Sequence, residues 1–501
     1  MSEGRGQILL LHDAGGNRRA TLEALPQIID QLRAKGFRFV ATHELVGRPR
    51  HEVMPPKRWA TPVTEAQSDF GLAYVRVLAW FGDVVPIVAI ATAALGMLRL
   101  GLILIAACVQ KRRARRRKPS LWRPAGIAVL VPAYNEEKVI CKTIQTLLSS
   151  SIAEHIEIIV IDDGSSDRTS DIVRETYAGV EQVKVYRKEN GGKAAALNYG
   201  IAQTRAEVIV AIDGDTVLLP DAIERLVAPF QDPCVGAVAG KVVVGNQINL
   251  MTRFQALEYL MSQNLDRRAF ELFNAIGVVP GAIGAWRRQA LVEVGGYSHD
   301  TLAEDADVTI ALERRGWKVL GEPGAVALTE APETLKAFLK QRFRWMFGTL
   351  QVAYKHSRAL LGRPCGVSLI TIPNVFLFQF AFTLLAPIMD LLLLWTVLLQ
   401  VRSLVLFGSA QADTSLMLLE YWIFFQTVDV LAAAAAVAFD GGRAEWRLVP
   451  LLILQRFSYR QLLYWVAVRT LLAAIKGSFV GWGKLIRTGS VSLPVQTKGA
   501  G

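Results

Sequence analysis

The chain has 501 residues, 52% of them hydrophobic, and a formal net charge of +12. A mean hydropathy of +0.30 is high for a soluble protein, and the length allows about three domains. Cys108, Cys141, Cys234 and Cys365 are scattered without paired spacing, which argues against a disulfide framework or a zinc site and for free thiols in a reducing compartment or in membrane. Met1–Gln7 is polar and Ile8–Leu11 is too short an apolar run for a secretory signal.

Within residues 1–60, Ile8–Leu11 reads as a strand and Arg18–Lys35 as a helix. That helix is apolar at Leu22, Leu25, Ile28, Ile29 and Leu32 and capped by Gly36. Phe37–Ala41 reads as a second strand, and a strand–helix–strand unit cannot bury both faces of a sheet by itself. Leu10-Leu11-His12 resembles the Leu-x-His element near the C-terminal end of polysaccharide deacetylases, where the histidine is catalytic. That family's paired acidic metal ligand and His-x-x-x-His element have no counterpart here. The resemblance therefore implies a relic, or a fragment of a longer two-enzyme protein, without deacetylase activity of its own.

Residues 61–83 read as a linker. Val84–Val109 is long enough to cross a bilayer core of about 30 Å; Arg99 interrupts it and can snorkel or face another helix. Lys111–Lys118, KRRARRRK, follows at once and carries much of the basic charge. That placement reads as a cytoplasmic anchor and not as a nucleic-acid patch. It puts the following residues in the cytoplasm and the N-terminal piece outside.

Residues 125–345 form the soluble heart. Apolar runs at Ile127–Val131, Ile156–Ile161, Val183–Tyr186 and Val208–Ile212 alternate with helical stretches, which predicts an α/β fold with a parallel sheet and ligands at the strand carboxyl ends. Polar clusters fall there: Pro132–Glu136, Asp162–Ser165 and Asp213-Gly214-Asp215. Two carboxylates one residue apart at a strand end suit a hard divalent cation, Mg²⁺ or Mn²⁺, with open positions left for phosphate oxygens. A solvated acidic turn is the competing reading of that motif alone.

Beyond residue 345, after Lys355, His356 and Arg358, spans are predicted within 369–400, 416–438 and 461–480. Pro387 and Asp390 either split the first or kink it. Arg443, Arg447, Arg456 and Arg460 make the Asp440–Arg460 loop cytoplasmic and favour a membrane-surface helix near Val449–Phe457. The predicted division is 1–60, linker 61–83, membrane helix 84–109, soluble domain 120–345, about three spans with interfacial helices over 346–485, and a tail 486–501.

Six motifs appear in order: Val131-Pro-Ala-Tyr-Asn-Glu136, Asp162-Asp-Gly-Ser165, Gly192-Lys-Ala-Ala-Ala-Leu-Asn198, Asp213-Gly-Asp215, Glu304-Asp305 and Gln341-Arg-Phe-Arg-Trp345. Together they resemble the processive, membrane-embedded family 2 glycosyltransferases, the group of chitin, hyaluronan, cellulose and poly-N-acetylglucosamine synthases. The resemblance implies a GT-A-type, Rossmann-like cytoplasmic domain flanked by transmembrane helices in a bacterial-type plasma membrane. It implies that Asp162 and Asp163 hold the uracil and ribose, with Tyr134 and Glu136 on the same donor-binding rim, and that Lys193 serves the uridine and diphosphate side. Asp215 then binds the cation, and Asp213 the donor sugar or ribose. Asp305, beside Glu304, is the implied general base; Arg344 faces the leaving diphosphate, Trp345 offers a flat face to the acceptor sugar and Gln341 positions it. Read alone, Glu304-Asp305 is a helix N-terminal acidic pair and Trp345 a membrane-interface aromatic. Gly281–Trp286 either lines the acceptor site or is a packing turn.

One base without a second carboxylate as nucleophile implies a single displacement, so an α-linked donor gives a β-linked product. The implied partners are a UDP-sugar, a growing polysaccharide, the lipid bilayer, and an export or deacetylase protein. The deacetylase-like segment favours a hexosamine donor, UDP-N-acetylglucosamine. A UDP-glucose-using β-glucan synthase and a non-processive transferase acting on a lipid are the alternatives; few polar residues inside the spans leave a transporter little support.

Overall fold

Four apolar runs become parallel strands because each is long enough to pair and is flanked by a helix that returns the chain to the same sheet end. In the computed structural model they are β1 (Ile127–Ala133), β2 (Ile156–Asp162), β3 (Val183–Arg187) and β4 (Val208–Ala211). Residues 19–54, 62–116, 124–407, 413–442 and 444–477 are described; they fall into two compact units dividing between Val88 and Ala89.

In the first unit, a helix spans Arg19–Ala34. Gly36 ends it with φ +82°, and the Phe37 amide reaches back to Leu32 O at 3.0 Å, a left-handed glycine cap. Phe37–Ala41, expected as a strand, is non-regular and exposed, and Thr42–Leu45 and Arg50–Val53 are short helices. An extended run becomes a strand only where a neighbouring edge takes its hydrogen bonds. His12 and Ile8–Leu11 lie outside the described residues. The stretch expected as a linker from 61 to 83 is instead helical from Pro62, the start of one helix running to Arg116. Proline at the first helical position costs no hydrogen bond.

The second unit holds an eight-stranded sheet in the order β3-β2-β1-β4-β7-β6-β8-β5, completed by β5 (Val217–Leu218), β6 (Val235–Val244), β7 (Gly284–Arg287) and β8 (Lys318–Thr329). The sheet is mixed and not wholly parallel: β7 runs antiparallel to both β4 and β6, while β6 and β8 are parallel. Side chains alternate along β1. Ile127, Val129 and Val131 pack under helices Ile140–Leu148 and Ala222–Val227, while Ala128 and Leu130 pack under helix Lys193–Ala202. Helices on both faces explain why β1, β2 and β4 are almost continuously apolar.

Three described helices are long and apolar enough to cross a membrane: Ile90–Arg115, Val367–Leu392 and Trp422–Asp440. Pro387 lies inside the unbroken helix Phe382–Phe407 and does not split it. The last helix, Tyr459–Ile475, has 17 residues, and its Tyr459 packs with Phe254 and Phe338. Leu451–Phe457 is a short helix that buries Leu452, Gln455 and Arg456 and exposes Ile453, Leu454 and Phe457. Charges deep in these helices find partners, as a hydrocarbon surrounding would demand. Arg99 meets Asp266 at 2.8 Å and Asn374 at 3.1 Å, Asp390 meets Arg456 at 2.9 Å, and Asp429 meets Arg460 at 2.7 Å.

Candidate active site

The carboxyl ends of β1, β2 and β4 share one rim, and Ala133 stands directly opposite Asp162 in the β1–β2 register. After β1 the chain turns through Asn135, whose φ of +54° is stabilised by three tethers. Its amide donates to Ser165 Oγ at 2.9 Å, its Oδ1 accepts from the Ser166 amide at 2.7 Å, and the neighbouring Glu136 amide donates to Thr169 Oγ1 at 2.8 Å. Tyr134 is left exposed at the rim. Glu136 lies over the acidic turn after β4: a Cβ on Gly214 would stand 3.3 Å from Glu136 Cγ.

Asp162 and Asp163 divide their work. Asp162 has no exposed surface; it accepts from the Ser165 amide at 2.8 Å and from the Ser170 hydroxyl, so it holds the turn. Asp163 accepts from Lys188 Nζ at 2.7 Å and from the amides of Gly191 and Gly192 at 3.0 and 2.7 Å. Gly164 between Asp163 and Ser165 has φ +75°, and a Cβ there would come within 2.9 Å of the Asn190 amide nitrogen, so a side chain would be strained twice over.

Lys193 opens the helix Lys193–Ala202 and points across the rim. Its ammonium lies 2.7 Å from Asp213 Oδ1 and 3.4 Å from Glu304 Oε1. The structure thus places Lys193 among the acids of the floor, while Lys188, which the sequence did not single out, serves Asp163. Glu304 and Asp305 begin the helix Glu304–Arg314, where the positive end of the helix dipole favours carboxylates. Asp305 Oδ2 accepts from the Gly281 amide at 3.2 Å and Oδ1 from the Ala306 amide at 2.8 Å. Asp307, one turn position on, is committed elsewhere, to His356 and Lys355 at 2.7 Å each.

Electrostatics follow from this crowding. Burial works against the Lys193 ammonium, but Asp213, Glu304 and Asp305 outweigh it and hold the group above its ordinary value. Burial raises Glu304 and Asp305 above the ordinary carboxylate range; Lys193 draws both back, and Asp213 pushes both up. A carboxylate with a raised pKa is a stronger proton acceptor at neutral pH than an exposed one. Tyr297, buried against the Trp286 ring at 5.7 Å, is also raised, by burial first and then by Glu304 and Asp305. Among the described residues its hydroxyl has no hydrogen-bond partner.

The Gly281–Trp286 segment resolves into two parts. Gly281 stands in the site: a Cβ there would be 2.3 Å from Lys193 Nζ and 3.6 Å from Asp305 Oδ2. Trp286 is fully buried in β7 and serves packing. The helix Leu335–Lys355 carries the Gln341–Trp345 motif. Gln341 is buried, Arg344 half-buried, and Trp345 is 41% exposed. Arg342 lies with its guanidinium carbon 4.5 Å from the Trp345 ring centroid and is held by Glu258 at 2.9 Å and Tyr459 at 3.1 Å. Nothing in the sequence singled out Arg342.

For a cation, Asp213 and Asp215 flank Gly214 at the rim, Asp215 being 7% exposed. Among the described residues no group of three or more histidine, cysteine, aspartate or glutamate side chains gathers as a metal centre. One or two carboxylates suffice for Mg²⁺ or Mn²⁺ when substrate phosphates complete the shell, so this donor set fits such an ion.

Residues 124–348 match the model of the family described as "Glycosyltransferase like family 2". Residues 124–348 are a family 2 glycosyltransferase domain. The chain is 34% identical over 228 residues to the poly-β-1,6-N-acetyl-D-glucosamine synthase of Staphylococcus aureus strain COL, covering 45% of this chain and 55% of the relative. The synthase of that name from Staphylococcus epidermidis matches to the same extent. The chain thus spans about half the length of the curated relatives it matches. A mannosyltransferase from Pyrobaculum calidifontis, solved in complex with GDP-Man and Mn²⁺, aligns with a TM-score of 0.46 at 20% identity, over 77% of this chain and 97% of that one. Within the family 2 glycosyltransferase domain, the rim of strands β1, β2 and β4 joins five of the six sequence motifs, and the sixth, Gln341–Trp345, closes the domain's C-terminal edge.

Proposed function

We propose that the chain is a membrane-embedded inverting glycosyltransferase that polymerises N-acetylglucosamine from UDP-N-acetylglucosamine into a β-linked polysaccharide, with its catalytic domain on the cytoplasmic side of a bacterial-type plasma membrane. The observation that carries the reading is the Lys193–Asp213 pair, with Glu304 and Asp305 beside it and Gly281 against both Lys193 and Asp305. It gathers a base and its neighbouring carboxylates around one ammonium at the strand ends, without, among the described residues, a further carboxylate set apart across the site as a covalent nucleophile. The likeness to synthases named for poly-β-1,6-N-acetyl-D-glucosamine supports the hexosamine.

In this reading Asp305 takes the proton of the acceptor hydroxyl as that oxygen attacks the anomeric carbon. The bond from that carbon to the diphosphate breaks, and its electron pair leaves on the diphosphate. Lys193 keeps Glu304 and Asp213 from repelling Asp305 into its protonated form. Asp162 holds the β2 turn, Asp163 and Tyr134 face the uridine side, and Glu136 braces the Asp213–Asp215 turn. Asp213 orients the donor sugar, Arg344 faces the diphosphate, and Gln341 and Trp345 hold the acceptor. Asp215 would hold Mg²⁺ or Mn²⁺, which supplies counter-charge to the leaving group when bound. The remaining partners are the bilayer and an export or deacetylase protein.

Isolated membranes incubated with radiolabelled UDP-N-acetylglucosamine or UDP-glucose test the proposal. The expected product is a long polymer from the hexosamine donor that resists alkali release from lipid. A polymer made from UDP-glucose alone, or a single sugar extracted with lipid, would replace the reading with one of its alternatives.

A further inference from the structure

A small cavity, of about 20 Å³, lies apart from the catalytic motifs and is lined by Gln110, Lys241, Gln263, Asn264, Arg267, Arg268, Glu271 and Glu322 among others. It gathers the end of the apolar helix Ile90–Arg115, strand β6, and the helical stretch Leu250–Glu271. Asp440, the last residue of the apolar helix Trp422–Asp440, reaches the same lining through Lys241 and Asn264. The cavity thus sits where two spanning helices end.

Its charges are not balanced pair by pair. Asp440 is taken by Lys241 and by Asn264 Nδ2 at 2.9 Å. Glu271 accepts from Gln110 Nε2 at 2.9 Å and the Gly321 amide at 3.0 Å, and Glu322 accepts from the Gly324 amide at 3.0 Å. The two guanidiniums have only neutral acceptors. Arg267 donates to Gly240 O at 2.7 Å and Gln263 Oε1 at 3.1 Å; Arg268 donates to Gln110 Oε1 at 3.1 Å. Arg268 is 9% exposed, and its Nε–H has no acceptor. Among the described residues neither arginine lies within ion-pair distance of a carboxylate. Burial alone pushes Arg267 down to about 10, and burial also lowers Arg268 against the opposing pull of Glu271, Asp440 and Glu322. A buried guanidinium with a spare donor, as at Arg268 Nε, is matched by an anion of forked geometry.

We propose that this cavity binds a phosphate-bearing anion at the membrane–water border, with Arg267 and Arg268 as its ligands. The phosphate comes from a lipid headgroup or from a soluble phosphate ester; both present the same oxyanion to the two arginines. Occupancy would join the end of helix Ile90–Arg115 to β6 through Gln110, Arg268 and the bound anion.

The test uses the full-length protein in nanodiscs, with EDTA present so that a metal-dependent nucleotide site does not contribute. In phosphatidylcholine nanodiscs, sn-glycerol 1-phosphate is titrated by calorimetry; in parallel, native mass spectrometry counts phosphatidylglycerol retained from mixed nanodiscs. Binding in the first arm identifies a soluble ester, retention in the second alone a lipid. Arg268→Gln is expected to weaken the responding arm about tenfold or more, the loss of a charged hydrogen-bonding partner, while Arg268→Lys keeps part of it. An unchanged UDP affinity in the variants shows that they are folded. No binding by the wild-type protein in either arm, beyond a matched sodium chloride control, overturns the site whatever the variants do. Equal binding by a folded Arg268→Gln protein overturns it as well.

Discussion

The Lys193 ammonium stands 2.7 Å from Asp213 Oδ1, although twenty residues, a helix and strand β4 separate them in sequence. The contact joins the glycine-led turn after β3 to the acidic turn after β4, and Glu304 closes it at 3.4 Å from the third side. The Gly192–Asn198, Asp213–Asp215 and Glu304-Asp305 motifs therefore share one charge network, and a change in any is felt in the others.

Asp305→Asn keeps the shape and the acceptor of the Gly281 amide but removes the base. Transfer is expected to fall roughly 10²–10⁴-fold, with UDP affinity unchanged. Near-normal polymer synthesis in membranes would move the base elsewhere.

The pH profile tests the network. Asp305 must be ionised to act, and its carboxyl is raised by burial, so activity falls as pH drops through a value above the ordinary aspartate range. Lys193 opposes that rise. Lys193→Met is therefore expected to move the acid limb of kcat/KM to still higher pH and to lower the plateau. A limb that stays in place, or moves to lower pH, would dissociate Lys193 from the base.

Gly281→Ala adds a methyl group 2.3 Å from Lys193 Nζ. The ammonium must leave Asp213 or the Gly281 turn must shift. Activity is expected to fall at least tenfold with little change in the amount of folded membrane protein, because neighbouring Ala282 and Ile283 keep the strand entry. Full activity would mean that the contact is not maintained during turnover.

Trp345→Ala removes a half-exposed ring and its cation–π contact with Arg342, a contact worth about 0.5–2 kcal/mol. Product length, resolved by gel filtration, is expected to shorten more than UDP affinity changes. Normal-length polymer would leave Trp345 as an interface aromatic.

Metal dependence is tested at Asp215. Removal of divalent ions by EDTA is expected to abolish transfer reversibly, with Mg²⁺ or Mn²⁺ restoring it, and Asp215→Asn is expected to abolish transfer irreversibly. Transfer at full rate in EDTA would remove the cation from the reaction.

Much of the domain was legible in the chain itself. Strands β1 to β4 announced themselves because a strand buried on both faces is a short unbroken apolar run, and the polar motifs at their ends stand out against it. The Gly36 cap and the three long apolar helices were readable for the same kind of reason: left-handed backbone calls for glycine, and a helix fit to cross hydrocarbon calls for some twenty apolar residues. Strands β6 to β8 were not legible. Gly236, Ala237, Ala239 and Gly240 make β6 resemble a loop until β7 and β8 pair with it, because strand propensity reports packing by neighbours more than any intrinsic preference. The helix from Pro62 was missed for lack of a strong periodic signal, and the Phe37–Ala41 strand was expected where, among the described residues, no pairing edge is present.

By itself the sequence determined the residue types of the site and the motifs they belong to, since backbone turns, carboxylates and apolar runs are local features with local signatures. Only the tertiary structure decided their partnerships: Lys193 with Asp213 and Glu304 while Lys188 takes Asp163, Asp162 on Ser165 and Ser170 while Asp163 takes the Gly191 and Gly192 amides, Gly281 against Asp305, Arg342 under Trp345, and two arginines left with neutral acceptors where two long apolar helices end. Such partnerships depend on distances of a few ångströms between residues far apart in the chain, and Coulomb energy and hydrogen bonding fall off too steeply for spacing along the sequence to reveal them.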